Sequence, residues 1–139
     1  MKEEVFWNSD IKDIKKGYID SGEHFECLLC GMNTEKGVIY NRENMLLDAE
    51  KEMKSHISEA HVSVFDYLIN LNKKLTGISE QQKKLLKLFY QGKSDKEVQE
   101  ETETGSMSTI RNHRFMLKEK ERQAKVFLSV MELLRERDK

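Results

Sequence analysis

The chain has 139 residues, enough for one domain or two small ones sharing a core. Hydrophobic content of 37% against charged content of 35% favours long, exposed amphipathic helices. A net charge of −1 excludes a uniformly basic polyanion binder, and no apolar run approaches the ~20 residues of a membrane span. There is no proline, so long uninterrupted helices are allowed. The first ten residues, MKEEVFWNSD, lack the apolar segment of a secretion signal, and the expected location is cytoplasmic.

Residues 3–18 read as a helix, with Trp7, Ile11, Ile14 and Tyr18 as one apolar stripe widened by Phe6. Next comes HFECLLCGMN, in which Cys27 and Cys30, the only cysteines, form C-x2-C followed by Gly31. Such a turn aims two thiolates at one point, and the glycine permits the positive φ of a tight knuckle. Residues 38–40, Val-Ile-Tyr, are β-prone and could pair with residues 25–28, with 33–37 as the connection. A helix is expected from about residue 44, with Leu46, Ala49, Met53, Ile57 and Ala60 on its apolar face and His56 beside it. His61 follows at its end.

The whole pattern is C-x2-C-x25-H-x4-H, a knuckle, a hairpin and two histidines at a helix C-terminus. It resembles a two-Cys two-His zinc finger with a longer insert. Cys27, Cys30, His56 and His61 are thus the expected ligands of one structural Zn2+, since four protein ligands leave no open position for water. In a straight helix His56 and His61 point ~140° apart, so the helix should loosen near Ala60. His24 is a possible substitute ligand. The plainer alternative makes the cysteines reduced core thiols. A redox C-x-x-C would want a βαβ context, which is missing, and a disulfide would be unusual in a cytoplasmic protein. Residues 62–75 read as continued helix with a wide apolar face, Val64, Phe65, Leu68, Ile69, Leu71 and Leu75. Thr76-Gly77 ends it, which sets two regions, 1–76 and 77–139.

Charge is uneven across them. Residues 1–75 carry 10 basic and 14 acidic groups, residues 76–139 carry 14 and 11, and residues 106–125 carry six and two. Local charge sets the footprint on phosphates. Ser79 and Gln82 form a capping box that opens a helix with Leu85, Leu86, Leu88 and Phe89 on its core side, and Gly92 ends it. Ser94 and Glu97 form a second box, opening a short helix whose Val98 faces inward. After a polar turn over residues 101–105, Ser106 caps a third helix with Ile110 and Leu117 inward. Nothing between Met107 and Arg137 breaks that helix. Its end carries a stripe of Phe127, Val130, Met131 and Leu134, flanked by Val126, Leu128 and Leu133. This stripe is expected either to pack on residues 62–75 or to pair two copies into a homodimer.

Gly92-Lys93-Ser94-Asp95-Lys96-Glu97-Val98 and Ser108-Thr109-Ile110-Arg111-Asn112-His113, with Ile78-Ser79 upstream, resemble the helix-turn-helix of LuxR/GerE-type bacterial transcription regulators. The likeness covers about 40 residues. The chain departs from that pattern by one extra residue between Glu97 and Thr109. Thr102 stands in place of a core leucine, and Glu97, Glu100, Glu101 and Glu103 make an acidic run. The resemblance implies a sequence-specific regulator of double-stranded DNA whose third helix enters the major groove. Arg111 and Asn112 would face guanine and adenine edges, Ser108, Thr109, Arg114 and Lys118 phosphates, and Lys96 the backbone. His113 is expected to be half-buried. The alternative is a zinc-containing protein-interaction adapter binding a component of the transcription machinery. No nucleophile–base pairing or phosphate-binding glycine loop is present, so no enzyme and no small-molecule substrate are expected. The fold class expected is mainly α: a small zinc-stapled ββα-like module, then a helix-turn-helix domain with a long C-terminal helix.

Overall fold

The computed structural model describes residues 3–102 and 106–138. The fold is mainly α, with a small strand-containing N-terminal region and a long C-terminal helix. It divides into two compact units, Met1–Gly77 and Ile78–Lys139.

The first unit opens with two short helices, α1 (Glu3–Trp7) and α2 (Ile11–Lys16), in place of the single helix expected over residues 3–18. The run Asn8-Ser9-Asp10 divides them. Ser9 donates its hydroxyl to the Val5 carbonyl at 2.7 Å, and Asp10 sits extended at the N-cap of α2. Such side chains favour helix ends over helix interiors. The expected stripe is broken accordingly: Trp7 and Ile11 are exposed, Phe6 is buried, and Tyr18 is buried on a strand.

Gly17 ends α2 at φ +87, and a Cβ there would lie 2.7 Å from Val64 Cγ2 and 3.0 Å from Ile57 Cδ1. Backbone strain and overpacking then act together. Gly17→Ala should cost roughly 2–4 kcal/mol, read as a lower midpoint in thermal or denaturant unfolding of the first unit.

Strands β1 (Tyr18–Asp20), β2 (His24–Cys27) and β3 (Asn33–Glu35) form an antiparallel sheet in that order. Phe25 lies opposite both Asp20 and Thr34. The hairpin expected between residues 25–28 and 38–40 is therefore not formed. The knuckle itself is the β2–β3 turn, and Tyr40 belongs to a second hairpin, β4 (Tyr40–Arg42) with β5 (Met45–Leu47). Residues 44–47 are accordingly not helical. Helix α3 (Ala49–His61) starts later because Asp48 caps it, accepting from the Lys51 N–H at 2.8 Å. Buried Thr34 donates to the Ala49 carbonyl at 2.8 Å, fixing β3 against the start of α3.

The expected apolar face of α3 is buried at Ala49, Met53 and Ile57, whereas Leu46 and Ala60 are exposed. The core holds Phe6, Tyr18, Cys27, Leu28, Leu29, Met53 and Ile57. Nor do residues 62–75 continue as one helix. Val62, at φ 67 and ψ −59, makes a tight turn in which the Ser63 N–H donates to the His61 carbonyl at 2.7 Å. Ser63 then caps α4 (Val64–Ile69), and Asn72 caps α5 (Lys73–Thr76).

Among the described residues the second unit is three helices: α6 (Glu80–Tyr90), α7 (Asp95–Thr102) and α8 (Met107–Arg137). Ser79 and Gln82 make both bonds of a capping box, and Ser94 with Glu97 does the same for α7. The C-terminus of α6 closes with Gly92 N–H to Phe89 O and Lys93 N–H to Leu88 O, the paired bonds of a Schellman stop. Leu85, Val98 and Ile110, one from each helix, are fully buried, with Leu88, Phe89 and Met107 packed around them. Glu101 and Thr102 are helical and not in the turn, and Thr102 donates its hydroxyl to the Val98 carbonyl at 2.6 Å. The rest of the expected turn, residues 103–105 with the acidic Glu103, lies outside the described residues. Helix α8 runs unbroken for 31 residues, about 46 Å at ~1.5 Å per residue. Among the described residues no helix is long and apolar enough to cross a membrane.

Candidate functional site

Cys27 ends β2, and the next five residues, 28–32, turn the chain back into β3. The turn is closed by the Gly31 N–H donating to the Cys27 carbonyl and the Cys27 N–H to the Met32 carbonyl, each at 2.8 Å. Gly31 sits at φ 85, the left-handed conformation that glycine adopts without a Cβ penalty. Leu28 and Leu29, between the cysteines, are almost wholly buried, so the knuckle is anchored in the core by its own centre. Helix α3 brings His56 and His61 to the same place. Cys30 Sγ lies 3.2 Å from His56 Nε2, and Cys27 Sγ lies 3.7 Å from His61 Nε2. The two imidazoles meet edge to face at 5.2 Å.

These four residues, 27, 30, 56 and 61, are a group that could hold a metal ion. Their ligand atoms all lie within 4.8 Å of one another. A tetrahedral ion with bonds of ~2.0–2.3 Å needs ligand–ligand edges of roughly 3.3–3.8 Å. The two sulfur–nitrogen distances are close to that range, and no edge of the group exceeds 4.8 Å. His24 belongs to β2 and is not part of the group. The helix loosens not at Ala60 but just past His61, at Val62, where α3 stops.

The electrostatics suit a cation. Burial pushes the Cys27 thiol up from its ordinary value. Burial lowers His56, with the neighbouring His61 charge adding to it, and burial also lowers His61. The folded chain thus keeps both imidazoles neutral, the form that binds metal, and a cation at the centre would bring the thiols down to thiolates.

Two groups beside the site were not singled out in the sequence. Tyr67 packs edge to face on His61 at 5.6 Å, and its hydroxyl is raised by burial and then by the two thiol groups. Arg42 on β4 grips Glu52 at 2.7 Å and also pairs with Glu59, so the second hairpin is clamped to α3 on either side of His56. Arg42 holds the buried Glu52 carboxyl below its usual range. The i, i+4 spacing of Glu52 and His56 was the available signal, but nothing in the sequence linked them to Arg42.

In the second unit α8 turns ~100° per residue, so Ser108, Arg111, Asn112 and Phe115 fall on the flank away from buried Ile110. All four are exposed, as are Lys96 and Lys118. Asn112 Nδ2 lies 3.8 Å from Met116 Sδ, and Lys118 pairs with Glu121 at 3.0 Å on the surface. Thr109 is half-buried, and its hydroxyl lies 3.1 Å from the Ser106 cap, so it serves the helix start. His113 is half-buried.

Arg114 is placed differently from the expected phosphate contact. It pairs with Asp95 at 2.7 Å and stacks 3.8 Å over the Phe89 ring, bracing α8 against α6 and α7. Phe115 stands exposed beside Arg111 and Asn112.

The chain matches no protein-family model, no curated protein and no solved structure.

Proposed function

We propose that this chain is a sequence-specific DNA-binding transcription regulator of the LuxR/GerE type, acting in the bacterial cytoplasm. In this reading the start of α8 enters the major groove, and the first unit is held together by structural zinc. One observation carries the DNA reading. Arg111 and Asn112 stand exposed on the outer flank of α8, while its inner flank is locked by Ile110 against Leu85 and Val98. A groove-reading helix has to be held rigidly from behind with its donors free in front. Arg111 suits guanine, Asn112 adenine, and Phe115 a thymine methyl. Ser108, Lys96 and Lys118 suit phosphates. Thr109 and Arg114 act from within, as cap partner and brace.

The choice of zinc follows from the donors. Two thiolates and two imidazoles in a closed four-ligand set suit a structural Zn2+ with no open position. The protein should purify with one equivalent of it.

The acidic surface of α7, with Glu97, Glu100 and Glu101 exposed, favours the second reading, an adapter that binds the transcription machinery. Binding to duplex DNA separates the two. A reader loses affinity steeply as salt rises, through counterion release. Arg111→Ala should weaken binding to the preferred site by roughly 1–3 kcal/mol and relax base preference at one position. Binding that ignores both salt and Arg111→Ala would favour the adapter.

A further inference from the structure

The last third of α8 carries a cluster of exposed apolar side chains. Phe127, Val130 and Leu134 are 65%, 53% and 54% exposed, with Val126 and Leu133 exposed beside them. The buried triad of the second unit touches this helix only at Ile110, far from that patch. A helical segment without tertiary packing is marginal in water, so this surface calls for a partner.

We infer that the partner is a second copy of the same segment, running antiparallel across a two-fold axis near Ser129. The register follows from the residues. Ala124, Phe127, Met131 and Leu134 repeat at alternating steps of three and four, the seam of a two-helix coil. Run antiparallel, Phe127 meets Met131 of the other copy and Ala124 meets Leu134, a small residue against a large one in each direction. Leu128 and Val130 meet their own counterparts on either side of the axis. The same register sets Glu121 against Arg135 and Lys120 against Asp138, each pair occurring twice by symmetry. Within the chain Glu121 pairs with Lys118 at the surface, and such an exposed contact can be shared or exchanged.

A parallel pair has neither advantage. It sets Lys120 against Lys120 at the seam, and it places Glu121 and Arg135 beside Met116 and Val130, where neither finds an opposite charge. Charge complementarity therefore selects both the occupant and its direction. The paired segment, residues 120–138, is about 28 Å long, and a strip of that size falls below the ~800 Å² per partner of a standard interface. The dimer should accordingly be weak, exchanging at micromolar concentrations. The two Ile110 positions would lie roughly 57 Å apart, farther than the ~34 Å between adjacent half-sites on one face of DNA. The pairing therefore stands independently of the DNA reading, and a chain that pairs but ignores DNA leaves it intact.

Sedimentation equilibrium of the full zinc-loaded chain, up to concentrations of order 100 μM, tests this. The wild type should shift from monomer toward dimer across the range. Phe127→Glu with Leu134→Glu should remain monomeric with unchanged zinc content. Glu121→Arg should weaken the dimer roughly threefold to thirtyfold by setting Arg against Arg135 of the other copy. Adding Arg135→Glu to Glu121→Arg should restore it, which a parallel pair would not do. A wild-type chain monomeric throughout, or a dimer indifferent to these charge changes, overturns the proposal.

Discussion

Chelation of the metal at neutral pH should unfold the first unit while α6, α7 and α8 stay helical. Structural zinc contributes an apparent ~10–16 kcal/mol to such modules, against a typical total stability of about 5–15 kcal/mol for a whole domain. The first unit has little to set in its place. Its strands are three or four residues long, and two of its core side chains, Leu28 and Leu29, are positioned by the knuckle that the ligands close. Cys27→Ser should have the same result as chelation. Trp7, the only tryptophan, packs edge to face on core Phe6 at 5.0 Å, so its fluorescence reports this unit. Acid should act in the same direction. His56 and His61 have lowered pKa values in the folded chain, so the unfolded chain takes up protons first. The stability they contribute is present above the unfolded value of ~6.5 and is lost as pH falls below it, with metal release adding to the loss. A first unit that keeps its Trp7 signal and its circular dichroism without metal would contradict this.

Leu85→Ala should destabilise the second unit by roughly 2–5 kcal/mol, through lost burial plus the cavity left behind. The unit has few other anchors. Three fully buried side chains, one per helix, meet at its centre, and small domains bury too little surface to spare one. The posture of α8 depends on that meeting, so DNA binding should fail along with stability. Zinc content and the Trp7 signal should be unchanged, because both belong to the first unit. A loss below ~1 kcal/mol in denaturant unfolding would mean that the triad is not the centre of this unit.

The metal group was legible because ligand chemistry survives errors in secondary structure. Two cysteines, a knuckle glycine and two histidines on a helix mark a centre whatever lies between them. What lay between was misread. Residues 38–40 are β-prone in composition, but the knuckle pairs β2 with Asn33–Glu35, a run with little β propensity. Tertiary packing decides such three-residue strands: Thr34 is buried and bonded to α3, while Val38 and Ile39 are exposed. The two helices drawn too long share one cause. Apolar period carried the reading across Asn8-Ser9-Asp10 and across Val62-Ser63, where polar side chains cap a new start. In the second unit all three serine caps, at 79, 94 and 106, were legible, because each stands next to a clear apolar period. The role of Arg114 was not, since a basic residue on a basic helix gives no sign that an aspartate and a ring on two other helices will hold it.

Selection of bound sites from random duplex DNA tests the regulator reading most directly. The wild-type chain should enrich one short motif, and Arg111→Ala with Asn112→Ala should abolish that enrichment while helix content stays the same. Enrichment of no motif by the folded, zinc-loaded wild type, or of the same motif by the double variant, would contradict it.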